Sequence, residues 1–202
     1  MTLDTAALRH SRVAQAAVAL IVVHLGYRIW ITSISWYVGD DFSFMSRMWH
    51  DGPSLAAATE PYAGHLMPAG LYLTWLAGEI HPYDFTVAGA MLVAMQAAAD
   101  LGLLVLLVRM FGLRAGILPP LALYLFTVFS TPMAVWWAAG GNQIPLQVVL
   151  FWSLAAHVSY LRTRARRHLV ATLAWLAAGL AFYEKTVLVL GAIGIVSLAY
   201  FA

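Results

Sequence analysis

Residues 13–33 read VAQAAVALIVVHLGYRIWITS, followed over 36–65 by WYVGDDFSFMSRMWHDGPSLAAATEPYAGH. The first stretch is long and apolar enough for one membrane crossing, which takes about 20 residues. Arg9, His10 and Arg12 precede it and no small-residue cleavage site follows, so it reads as a retained anchor rather than a removed leader. The second stretch is too polar to cross and is the longest non-spanning segment of the chain. Within it Phe42, Met45, Met48 and Trp49 recur at helical spacing, which predicts a short amphipathic helix lying at the bilayer boundary.

The composition agrees with a bilayer as the solvent. Of 202 residues, 62% are hydrophobic and only 10% charged, against about 25% in soluble domains. So little charge cannot coat a water-facing surface, which excludes a soluble globular enzyme, and so much apolar surface excludes disorder. The absence of cysteine excludes disulfides, thiolate metal sites and a cysteine nucleophile. The net charge of +2 is spread over small basic clusters between apolar runs, a pattern of membrane orientation and not of nucleic-acid binding.

Further spans are predicted over 85–108, 117–137, 145–161, 169–183 and 187–202. Pro119 and Pro120 suit a first helical turn, where missing amide donors cost little. The stretch 66–80, LMPAGLYLTWLAGEI, is short, and the positive-inside rule decides its place. If it stays outside the bilayer, Arg9 and Arg12, Arg109 and Arg114, and Arg162, Arg164, Arg166 and Arg167 all fall on one side. Asp40, Asp41, Asp51, Glu60, Glu79, Asp84 and Glu184 then fall on the other. The expectation is an all-α integral membrane domain over 1–202. It has six spans and an external loop, 36–84, carrying two interfacial helices. It sits in the plasma (inner) membrane, N-terminus cytoplasmic, with the lipid bilayer as its partner. No internal repeat, broken mid-membrane helix or soluble domain is read, and Gly140-Gly141 reads as a turn.

The external residues suggest chemistry. Adjacent carboxylates, Asp40 and Asp41, can act as general base, as metal ligands or as both, or form a solvated turn. Arg47 can bind phosphate or anchor to headgroups. Glu60 and His65 can hold a divalent metal cation, or simply end a polar loop. Glu184 and Lys185 can meet a phosphate group or pair locally. Trp136 and Trp137 fit an aromatic belt, with Asn142 and Gln143 beside them at the outer boundary. Within the spans, Asp100 is costly unless functional or bonded to a neighbouring helix, and His24 lies one turn from Arg28, which can snorkel outward.

This arrangement resembles the N-terminal half of the GT-C superfamily of integral-membrane glycosyltransferases, such as the protein O-mannosyltransferases and the lipid A aminoarabinose transferase. GDDFSFMSRM (39–48) is similar to the acidic motif and helix after their first span. GHLMPAGLYLTWL (64–76) is similar to their helix leading toward the second, and FYEKTVLVL (182–190) to a segment that opens a later span. The resemblance implies transfer of a sugar from a polyprenyl-phosphate donor lipid to an extracytoplasmic acceptor. It implies Asp41 or Asp40 as base or metal-positioning residue, with Arg47, His65 and Lys185 as donor-phosphate or metal contacts. The family has more spans than this chain, so a missing C-terminal half or a partner membrane protein is implied too. Glu184 precedes Lys185, the reverse of one family order. Rival readings are a transporter or channel subunit using Asp100, His24 and Arg28, and a non-catalytic membrane scaffold.

Overall fold

The computed structural model describes residues 11–50 and 52–201. Arg9, His10, Asp51 and Ala202, used above for orientation and span limits, lie outside the described residues. Among the described residues the fold is all-helical, with one isolated backbone bridge between Tyr62 and His65. The described residues form ten α-helices, in this order. They are α1 (Arg12–Ser33), α2 (Asp40–Met45, running into a π turn, Ser46–His50), α3 (Leu55–Thr59), α4 (Pro68–Ile80) and α5 (Phe85–Phe111). Then come α6 (Leu118–Leu125), α7 (Pro132–Val135), α8 (Trp137–Thr163), α9 (Arg166–Phe182) and α10 (Leu188–Phe201).

The helix ends follow from local chemistry. Ser11, Ser54 and Asp84 cap α1, α3 and α5 by accepting from Ala14, Ala57 and Thr86 amides at 3.4, 3.1 and 2.8 Å. Pro68 opens α4 where no amide donor is needed. Gly112 stops α5 with a positive φ, its amide returned to the Val108 carbonyl at 2.9 Å.

Among the described residues three helices, α1, α5 and α8, are long and apolar enough to cross a membrane. α4 has 13 residues, about 20 Å at 1.5 Å per residue, which falls short of a hydrocarbon core about 30 Å thick. α9 and α10, with 17 and 14 residues or about 26 and 21 Å, fall short of that thickness as well.

The structure corrects the expectation for 117–137. A single helix is expected there, and no broken helix anywhere. Instead 115–125 and 128–135 form a bent pair with a 46° change of axis. Nor is Gly140-Gly141 a turn: α8 starts at Trp137 and continues past both glycines, Asn142, Gln143 and Pro145 to Thr163. The glycines serve close approach. A Cβ on Gly140 would stand 2.2 Å from the Met133 carbonyl oxygen, so only glycine lets α7 fold back against the start of α8.

α8 is the central helix, packed on α5, α9, α10 and α4. At one end Ala17, Ile21, Leu103, Leu107, Leu121, Leu154 and Val158 form the main core. The basic turns gather at this end, where Arg162 donates to the Met110 carbonyl at 3.2 Å and Arg109 to the Ala155 carbonyl at 2.8 Å. At the other end meet the C-terminus of α1, the N-termini of α5 and α8, and the C-terminus of α9. Phe44, Met48, Met67, Leu71 and Ala138 seal α2 and α4 onto that end. The inward face of α2 differs from the expected one. Phe42 is exposed and Phe44 is buried, because the buried Asp41 sets the register and Phe44, Met45 and Met48 follow it at i+3, i+4 and i+7.

Candidate functional site

The end opposite the basic turns carries the acidic residues, and its architecture begins at Gly39. Its φ of +52° is a conformation that favours glycine, and it turns the chain from α1 into α2. Asp41 then lies fully buried. One carboxylate oxygen accepts from the Val38 amide at 2.9 Å and the other from the Ala138 amide at 2.7 Å. The second bond puts a carboxylate on the N-terminus of a 27-residue helix, where the dipole favours an anion. Burial pushes the Asp41 carboxyl up from its usual range; the Val38, Ala138 and Trp137 amides oppose this and the adjacent Asp40 adds to it. Asp41 therefore staples the segment between α1 and α2 to α8 and presents no free oxygen to a substrate.

Asp40 is only partly buried, and accepts from the Tyr62 hydroxyl at 3.0 Å. Tyr62 packs edge-on to Phe44, and the Arg47 guanidinium sits 5.7 Å above its ring. Arg47 also donates to the Glu60 carbonyl at 2.7 Å and pairs with the Glu60 carboxylate at 3.9 Å. Tyr62 and His65 exchange backbone hydrogen bonds of 2.9 and 2.8 Å across Ala63 and Gly64, both at positive φ. That is the geometry of a tight primed turn, and it sets the two rings side by side.

His65 reaches across the molecule. Its Nδ1 lies 2.7 Å from a Glu184 oxygen, while the other oxygen accepts from the Leu66 amide at 3.1 Å. Burial opposes ionisation of Glu184, but the bonds from His65 and the Leu66 amide outweigh it and hold the carboxyl below its usual value. Tyr183 packs edge-on to His65 and carries the Lys185 ammonium 4.9 Å from its ring centroid. Asp40, Arg47, Glu60, His65, Glu184 and Lys185 thus belong to one connected surface cluster.

Tyr62 and Tyr183 are the members that sequence reasoning missed. The only signal for Tyr62 was Ala63-Gly64 ahead of His65. Glu60 and His65 fit a shared metal poorly, since each is turned to another partner. Among the described residues no three metal-ligating side chains gather. Trp137 is no belt residue: it is buried and donates to the Thr74 hydroxyl at 2.8 Å, locking α8 to α4.

A second polar cluster lies inside the bundle. Arg28 does not snorkel outward; it is 2% exposed. Its Nε donates to His24 Nε2 at 2.9 Å, one Nη to the Ser130 carbonyl at 2.8 Å, and the other to the Ser130 hydroxyl. His24 Nδ1 lies 2.7 Å from Asp100, whose other oxygen accepts from Gln96 at 2.8 Å. Gln96 continues to the Tyr124 hydroxyl at 3.2 Å, and Tyr124 to Gln147 at 2.6 Å. Asp100 therefore bonds neighbouring helices rather than standing alone in a span.

Compared with known protein families, curated proteins and solved structures, the chain matches none.

Proposed function

We propose that the chain is a membrane-embedded sugar transferase, or the N-terminal part of one, acting on a polyprenyl-phosphate donor lipid. The observation that carries this reading is the cluster built on Asp40. A partly accessible carboxylate, oriented by a tyrosine, stands at one end of an apolar bundle with Lys185 in the same cluster, opposite the basic turns. In the proposed reaction Asp40 takes the proton of an acceptor hydroxyl. That oxygen attacks the anomeric carbon, the carbon–oxygen bond to phosphate breaks, and its electron pair leaves with the polyprenyl phosphate. Lys185 offsets the charge gathering on that phosphate, and the His65–Glu184 pair holds the tight turn and the 183–187 segment together around it. No step is assigned to a metal. The test is sugar transfer from a polyprenyl-phosphate donor in membranes carrying the full-length protein. Transfer that depends on Asp40 supports the reading, and transfer unchanged by Asp40→Asn overturns it.

The accompanying topology has six crossings, with the 115–135 pair counted as one bent span and α2 to α4 lying at the outer boundary. It places the arginine turns in the cytoplasm and the acidic end outside, in the plasma membrane, as positive-inside orientation favours. The absence of cysteine makes this directly measurable. Single cysteines at 40, 65 and 184 are expected to react with an impermeant thiol reagent from outside, and one at 165 only after the membrane is opened. Outside labelling at 165 reverses the orientation.

One observation favours transport as a second reading: just past its break the bent 115–135 pair meets a buried charge, Arg28 of α1, in the manner of the discontinuous helices of transporters. Under that reading function follows Asp100, His24 and Arg28 and is indifferent to Asp40.

A further inference from the structure

The hydrogen bonds around His24 determine its proton. An arginine Nε can only donate, so His24 Nε2 must accept, and the single imidazole proton sits on Nδ1, donated to Asp100. A neutral ring thus joins a carboxylate to a guanidinium inside the bundle. The linkage ends just past the break: Ser130 closes the short helical turn 128–130, and Arg28 takes both its carbonyl and its hydroxyl. A bend frees backbone groups that apolar surroundings cannot satisfy, and Arg28 satisfies one of them. Just beyond, the Thr32 hydroxyl donates to the Ala134 carbonyl at 3.3 Å, so α1 holds the 128–135 segment at two points.

We propose that His24 is a proton-sensitive clasp on the bent segment. With the ring neutral, Asp100, His24 and Arg28 form one closed chain of donors and acceptors, and α1 grips Ser130. A second proton, on Nε2, removes the acceptor for Arg28 and sets two cations against each other, so the grip is lost. The groups facing the ring decide the sign. From α5 come Asp100 and the neutral Gln96; from the α6 side come the Tyr124 hydroxyl, one bond removed through Gln96, and the Phe126 ring, edge-on at 5.9 Å. The break contributes the neutral Ser130, α7 (PMAV) has no titratable residue, and α1 adds Arg28 and Tyr27. Asp100 is the one counter-anion among them, and it cannot restore the lost acceptor. Acid therefore loosens the segment. This inference stands apart from the transferase reading, because it concerns only how the bend is held.

Two measurements test it on the full chain in lipid nanodiscs. Nitroxides on cysteines at positions 29 and 128, both exposed in the parent, report the separation of α1 from the bend. The separation is expected to be short and narrow at about pH 8, and longer and more broadly distributed at about pH 5. His24→Gln supplies one donor and one acceptor but does not titrate, and is expected to keep the short separation at both values. An unchanged separation in the parent, or a His24→Gln variant that still lengthens, overturns the clasp. Nitrogen NMR of the labelled His24 ring needs no variant: a proton on Nε2 at about pH 8 overturns it as well.

Discussion

Asp40→Asn is expected to lower sugar transfer about 10²–10⁴-fold, the usual worth of a positioned general base, while the protein inserts and melts as its parent does. The amide cannot take a proton, yet it keeps an oxygen for the Tyr62 hydroxyl, 3.0 Å away, so little of the structure changes. Asp41→Asn is the contrast that makes the result informative. Both Asp41 oxygens accept from buried amides, and an asparagine offers one acceptor and turns its NH₂ toward the other donor. Leaving the Ala138 or Val38 amide unpaired costs about 1–3 kcal/mol, paid in stability and in the seating of α2 on α8. Asp40→Asn is therefore expected to leave the thermal midpoint in place and remove transfer, whereas Asp41→Asn lowers the midpoint first. If the two variants lose transfer equally with unchanged melting, Asp41 shares the chemistry and the staple argument fails.

Arg28→Ala is expected to destabilise the protein by about 3–5 kcal/mol, because it strands Asp100 without a counter-cation, leaves His24 Nε2 without its donor and uncovers the Ser130 carbonyl. Asp100→Asn alone is expected to cost a similar amount, since it leaves Arg28 buried without an anion. Combining the two replacements is expected to cost less than the sum of both, for the second change removes the charge that the first one stranded. Reversible unfolding in bicelles or detergent reads all three. Additive costs would show that the two charges are independent, and that the imidazole between them is only packing.

The acidic pair shows how far a sequence can be read. A carboxylate pair after the first apolar helix is visible as a candidate, but its two members are equivalent there: adjacent residues of a helix point about 100° apart, and only docking decides which of them faces the core. Docking buries Asp41 against the N-terminus of α8, 97 residues away, and leaves Asp40 facing outward. The His65–Glu184 contact, across 119 residues, has no local signal at all. Arg28 was misread for the same reason. One turn from His24 near the end of an apolar run, its local surroundings favour snorkelling, and only Ser130 and Asp100 from other segments make burial the better state.

What the chain's own residues decided is the solvent and the class of structure. With one residue in ten charged and apolar runs long enough for a bilayer, helices that satisfy their own backbone were the available solution. The order of those helices, and the sorting of arginines from carboxylates, follow from the same pattern. Tertiary packing alone decided where helices break and which polar groups face each other. The close approach of Gly140 to the Met133 carbonyl, the bend at 126–127 and the burial of Asp41 all depend on surfaces brought together from far along the chain. A hydropathy pattern records how much each residue favours oil over water; it holds no term for the partner that makes a buried charge stable.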